Sequence, residues 1–184
     1  MLIRHLSKVL PQSLCLELLE FASQQSFEAA SVNYYGETQR KEAIRNNDRL
    51  EWDNADLAKR LEHYLLIAMG DEFPTHLDCM HYVATGSHFR FYRYRPGQYF
   101  KPHRDGSYQA AECESLVTVL FYLNDADGGE TLVMPYGPRE RWAHQAFVPR
   151  TGDALLFEHR VWHEGCPVHS GEKYVLRTDL FYRS

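Results

Sequence analysis

Long hydrophobic runs are missing from this 184-residue chain. Residues 1–18 are apolar in places, but Arg4, His5, Lys8, Pro11 and Gln12 interrupt them, so the stretch serves neither as a signal h-region nor as a membrane span. Basic excess is also missing. Twenty Lys and Arg stand against 25 Asp and Glu, a net charge of -5, which argues against a general nucleic-acid binder. Cysteine is sparse: Cys15, Cys79, Cys113 and Cys166 lie scattered with no C-x-x-C pair, which excludes a disulfide framework and a zinc ribbon. Free thiols and no secretory leader predict a reducing, cytoplasmic setting. Repeats, low-complexity tracts and long linkers are absent too. What remains is 44% hydrophobic and 14% aromatic, the balance of one globular domain with a sizeable core.

Two helices are predicted in the first third. Apolar Leu14, Leu16, Leu18, Leu19 and Phe21 follow Pro11 and support a helix over 13–24. Leu57, Leu61, Tyr64, Leu65 and Ala68 recur at spacings of three and four, marking a second from Asp53 or Asn54, either one an N-cap, to Met69, with Gly70 as its stop. From residue 78 the texture changes to short runs of Val, Phe, Tyr and Leu, broken by Pro-Gly, Asn-Asp, Gly-Gly and Gly-Asp. Strands are expected at 88–95, 116–123, 131–133, 145–148, 154–157 and 173–182. Many short strands between turn signals predict a sandwich or barrel. The fold class expected is mainly β (α+β), a jelly-roll core over 78–184 carried by a helical support over 1–77, in a single domain 1–184.

Three residues stand out as metal ligands. His103 and Asp105 are two apart, so in extended backbone their side chains share one face; His163 follows some sixty positions later. Two imidazoles and one carboxylate on a single face of an octahedron leave three open positions, which suits non-haem Fe(II). His159, four residues before His163, is the rival for the third place. His5, His63, His76, His81, His88, His144 and His169 have no partner at ligand spacing and read as surface or structural residues.

The context makes the pattern specific. The segment Phe89-Arg-Phe-Tyr-Arg-Tyr-Arg-Pro-Gly-Gln-Tyr-Phe-Lys-Pro-His-Arg-Asp105 resembles the metal-binding strand of Fe(II)/2-oxoglutarate-dependent dioxygenases of the prolyl 4-hydroxylase type. Leu120-Phe-Tyr-Leu-Asn124 with Gly128-Gly-Glu-Thr131, Gly152-Asp-Ala-Leu-Leu-Phe157, and His163-Glu-Gly-Cys-Pro-Val168 with Gly171 and Lys173 resemble its later strands, in the family's order. The resemblance covers about residues 85–182 and not the N-terminal third. It implies a double-stranded β-helix, Fe(II) on His103, Asp105 and His163, and 2-oxoglutarate and O2 as co-substrates, with ascorbate a further candidate cofactor. It favours His163 over His159, because the family's ligand directly precedes x-Gly-x-Pro-Val. It also implies Lys173 as the cation for the far carboxylate of 2-oxoglutarate. Arg177 is the next choice, paired with Asp179 or reading the substrate; Tyr94 and Tyr122 are candidate hydroxyl donors.

The implied reaction is hydroxylation of a peptidyl proline, an oxidoreductase activity, with succinate and carbon dioxide as co-products. A free amino acid or small metabolite is the alternative substrate; a cupin-like binding module without turnover, or a zinc hydrolase, are the alternative classes. For substrate contact the polar run Ile44-Arg-Asn-Asn-Asp-Arg49 offers Arg45, Asn47 and Arg49, where related enzymes fold an Arg-containing loop over the site mouth. Between Arg90 and Arg104, basic residues interleave with aromatics; strand alternation is expected to turn the aromatics inward and the basic groups outward, rather than to build a nucleic-acid platform. Residues 106–114 read as a loop beside the metal. Membrane and nucleic-acid partners are not expected, and oligomeric state is not legible.

Overall fold

A computed structural model describes residues 1–34, 37–39 and 41–184. Its frame is two antiparallel sheets laid face to face. The larger runs in the order Ile3–Leu6, Ala154–Glu158, Cys113–Tyr122, Lys173–Arg183, His88–Tyr94, Asp48–Asp53 and Glu28–Ala29, with Met80–Thr85 pairing the far end of Lys173–Arg183. The smaller runs Gln145–Phe147, Thr131–Met134, Trp162–Gly165 and Phe100–His103. Two such facing sheets, with the chain alternating between them from residue 88 to 183, form the expected jelly roll.

The two helices cover the outer face of the larger sheet. The first spans Gln12–Ser23 and the second Ala55–Met69, within a residue or two of the sequence expectation. Asn54 caps the second by accepting the Leu57 N–H at 2.9 Å, and Gly70 ends it at positive φ, where a side chain would be strained. Leu14, Leu18, Leu57, Leu61 and Leu65 then pack on Phe89, Phe91, Val119, Phe121 and Leu176 of the sheet. A second core lies between the sheets and holds Tyr92, Tyr94, Leu120, Tyr122, Val133, Leu155 and Val175.

This double covering corrects the expected division of the 90–104 segment. The larger sheet has no wet central face, so aromatics occupy both sides of one strand: Phe89 and Phe91 face the helices, Tyr92 and Tyr94 the other sheet. Arg90 and Arg93 are part-buried on opposite faces and ion-paired, to Asp179 and Asp48. The N-terminal third is also less helical than expected. Ile3–Leu6 closes one edge of the larger sheet and Asp48–Asp53 extends the other, each pairing with strands more than thirty residues away. Residues 106–114 are not all loop, since Gln109–Ala110 turns back on Cys113–Tyr122. No helix among the described residues is long and apolar enough to cross a membrane.

Leu61 is fully buried between the second helix and the sheet. Leu61→Ala should lower unfolding free energy by about 2–5 kcal/mol in a urea titration, the range for truncating a packed core leucine.

Candidate metal centre

The smaller sheet sets two of the three expected ligands directly opposite each other. His163 and His103 are register partners in an antiparallel pair, and Asp105 follows just beyond the strand end. One ligand atom each from His103, Asp105 and His163 lies within 4.8 Å of the other two. The imidazoles are aimed by their outer nitrogens: His103 Nδ1 donates to the Lys101 carbonyl at 2.8 Å, and His163 Nδ1 to that of Val161 at 3.1 Å. Both Nε2 lone pairs therefore turn toward the carboxylate, at 3.9 Å and 3.6 Å. Burial pushes both imidazoles down, His103 well below the usual histidine value, so each is a neutral donor.

Asp105 is ionised in spite of its setting. Burial alone would raise its carboxyl, but the Arg177 guanidinium holds it well below the usual carboxylate range. Two neutral imidazoles and one anion, converging with fixed tautomers, fit a divalent transition metal. His159 does not join them. Its ring sits 3.4 Å from Asp179, and only its backbone carbonyl touches the site, accepting the Asp105 N–H at 3.1 Å.

A narrow cavity runs from the ligands into the barrel, walled by Phe100, Leu120, Gly165 and Val175 and closed by Thr131 and Lys173. Lys173 is 2% exposed, and its ammonium donates to the Gly129 carbonyl at 2.6 Å. Burial pulls its pKa down to about 8. With three donors and one hydrogen-bond acceptor in reach, it has capacity for an anion at the closed end. Tyr94 and Tyr122 flank it, ring centres 4.9 Å and 5.7 Å from the nitrogen. The Tyr122 hydroxyl donates to Thr131 at 2.8 Å. Arg177 lines the same cavity, but its donors are engaged by Asp105 and Asp179.

The polar run before the Asp48–Asp53 strand divides. Arg45 is 5% exposed and lies between the rings of Tyr92 and Phe100, 4.5 Å and 4.4 Å from their centres. Phe100 in turn stacks on His103 at 3.5 Å. Arg45 Nε donates to Asn47 at 2.7 Å, whereas Nη2 is buried with no hydrogen-bond partner. Asn47 is fully buried beside it. Arg49 is not brought to the centre; it sits along the strand, ion-paired to Glu51 at 3.3 Å. Sequence reasoning missed Thr118, whose hydroxyl donates to Asp105 Oδ2 at 2.6 Å. A lone threonine among valines and leucines, on the face that carries Leu120 and Tyr122, was the available signal.

Residues 89–178 match the model of the 2OG-Fe(II) oxygenase superfamily. The matched stretch is just under half of the chain and holds all three expected ligands. Over 111 residues the chain is 35% identical to a putative prolyl 4-hydroxylase of Acanthamoeba polyphaga mimivirus, covering 50% of the chain and 42% of that relative. It therefore spans less than half the length of the curated relatives it matches. Among solved structures it resembles a Trichoplax adhaerens prolyl hydroxylase in complex with a hypoxia-inducible-factor peptide fragment (TM-score 0.71, 18% identity, 97% of this chain and 83% of that one). A Pseudomonas putida prolyl-4-hydroxylase gives TM-score 0.67 at 19% identity, over 99% and 92% of the two chains. These likenesses establish the double-stranded β-helix fold. The superfamily implies Fe(II) and 2-oxoglutarate, and the donor set and the cation-ended cavity fit both.

Cobalt(II) at a hundredfold excess over its Kd should stabilise the metal-free protein by about 2.7 kcal/mol. Thermal unfolding with and without the ion checks this, and Asp105→Ala should abolish the shift.

Proposed function

We propose that this chain is an Fe(II)- and 2-oxoglutarate-dependent hydroxylase acting on a prolyl residue of a peptide or protein. One observation carries the reading: His103, Asp105 and His163 converge at one end of a cavity whose closed end is a buried, under-coordinated lysine. Iron held there supplies activation of O2, coupling conversion of 2-oxoglutarate to succinate and carbon dioxide with insertion of one oxygen atom into a C–H bond. The chain's own residues do the rest. His103 Nε2, His163 Nε2 and one Asp105 oxygen would hold the metal. Lys173 neutralises the distal carboxylate of the co-substrate, with the Tyr94 and Tyr122 hydroxyls beside it. Leu120, Val175 and Phe100 keep water from the reacting atoms.

The primary substrate approaches from the opposite side. A larger open groove shares only His103 and Asp105 with the co-substrate cavity, and is lined further by Pro102, Leu116, Trp162, Arg104 and Arg160. Along Cys113–Tyr122 the order is therefore groove at Leu116, ligand contact at Thr118, and closed end at Tyr122. A long open groove of mixed chemistry suits an extended chain, and the relatives named prolyl 4-hydroxylase support the same substrate. Arg45 lies outside this groove, and its Nη2, buried and unpartnered behind the single Phe100 ring that stacks on His103, would donate to a substrate carbonyl only on the Phe100 side of the centre. That cation also supports the second reading, a free amino acid whose carboxylate it would pair. A cytoplasmic setting fits the four free cysteines, and ascorbate is a candidate accessory reductant.

The iron-loaded protein with 2-oxoglutarate should release succinate faster with a proline-containing peptide pool than with free amino acids, and the peptide should gain one oxygen by mass. Succinate only with amino acids would favour the second reading, and none under any condition would end the proposal. The lysine adds a pH signature. With a pKa of about 8, Lys173 is mostly charged at pH 7 and about one-tenth charged at pH 9. The affinity of the metal-loaded protein for 2-oxoglutarate should accordingly fall by up to about tenfold across that interval in equilibrium dialysis. Lys173→Arg, charged throughout, should flatten the profile.

A further inference from the structure

Arg177 departs from the simple picture of a cavity with one anchoring cation. Its Nη1 donates to Asp105 Oδ1 at 2.7 Å, while Nε and Nη2 donate to Asp179 Oδ1 at 3.2 Å and 3.0 Å. The three side chains are 12%, 6% and 11% exposed, so these contacts are made away from water. The other oxygen of Asp105 takes the Thr118 hydroxyl. Strand register builds the arrangement: Arg177 and Asp179 are two apart on one face, and Thr118 lies opposite Asp179 on the neighbouring strand. Asp179 is itself ion-paired to Arg90 at 3.6 Å.

We propose that Arg177 is a positioning residue for the metal-ligating carboxylate, and that Asp179 holds and partly neutralises it. The inference rests on the metal-site reading above. With Oδ1 on the guanidinium and Oδ2 on the Thr118 hydroxyl, the Asp105 carboxylate is held in one orientation, and the adjacent positive charge weakens it as a donor to a cation. The local charge of Asp105, Arg177 and Asp179 together is -1. Replacing Arg177 by a neutral residue makes it -2, and replacing Asp179 by asparagine makes it 0. A divalent cation in a low-dielectric site responds to that difference, so the two substitutions act on its affinity in opposite directions. A residue that merely stabilised the fold would move both the same way.

Cobalt(II) titrated into metal-free protein, followed by its visible absorption, reads this without turnover. Arg177→Met should bind cobalt at least about tenfold tighter and Asp179→Asn at least about tenfold weaker than wild type, a unit charge some 6 Å from a divalent cation being worth about one decade even at the dielectric of water. The 2-oxoglutarate affinity of cobalt-loaded Arg177→Met should fall far less than that of cobalt-loaded Lys173→Met, whose ammonium has free donors facing the cavity. Shifts of the same sign in both variants would overturn the proposal. So would loss of 2-oxoglutarate binding in Arg177→Met as large as that in Lys173→Met, because Arg177 would then be the anchor. If Arg177→Met does not fold, Asp179→Asn alone decides: weaker cobalt binding upholds the inference, and unchanged or tighter binding ends it. Wild type that takes up no cobalt would fell the metal-site reading itself, a separate result from any failure of Arg177.

Discussion

A carboxylate placed between two β-sheets is the constraint around which this molecule is arranged. Asp105 comes off the end of the smaller sheet and is met by Thr118 and Arg177 from the larger one, so its side chain joins the two layers at the metal centre. An isolated carboxylate in such a place would cost several kcal/mol or take up a proton. Here the cost is offset by a guanidinium, and the guanidinium is kept in place by Asp179. The chain of opposite charges continues to Arg90 and then Glu51 near the surface, crossing three neighbouring strands. The ionised state of one ligand is thus a property of the whole sheet, not of the loop that carries it.

The division of labour between the sheets follows from their contents. The smaller sheet carries both imidazoles in direct register, which fixes their separation through backbone hydrogen bonds. The larger carries the cations: Lys173 at the closed end and Arg177 a turn of the pleat nearer the ligands. Positive charge is thereby graded along the cavity, with an ammonium deep inside that donates to one carbonyl and a guanidinium near the centre that is paired to two carboxylates. Two cations four residues apart on one strand face the same space but have different partners, and the partners decide their roles.

Much of this was legible from residues 85–182, because the ligands, the turn glycines and Lys173 are short-range patterns whose spacing is tied to strand geometry. Alternation places Lys173 and Arg177 on one face, so only the resemblance put Lys173 first; the partners of Arg177, Asp105 across the sheet and Asp179, were not legible. Thr118 was hidden for a different reason: in a run of valines and leucines a threonine is an ordinary β-branched strand residue until its hydroxyl finds a partner. The strands at Ile3–Leu6 and Asp48–Asp53 escaped notice because Arg4, His5, Arg49 and Glu51 dilute their apolar signal, and their partners lie far along the chain. The polar run at 44–49 looked like a solvated loop, yet Arg45 is covered by two aromatic rings that come from elsewhere in the sequence.

The Ile3–Leu6 strand has a bearing on how the protein behaves as a material. It occupies the outer edge of Ala154–Glu158, the strand that leads through His159 to His163. Without those few residues, the apolar and fully buried Ala154–Phe157 segment would present a row of unpaired amides and carbonyls, an open template for another chain. Edge protection and the placement of His163 are therefore coupled through one short strand. Trimming the start of the chain would invite edge-to-edge aggregation at the very strand that delivers the last imidazole.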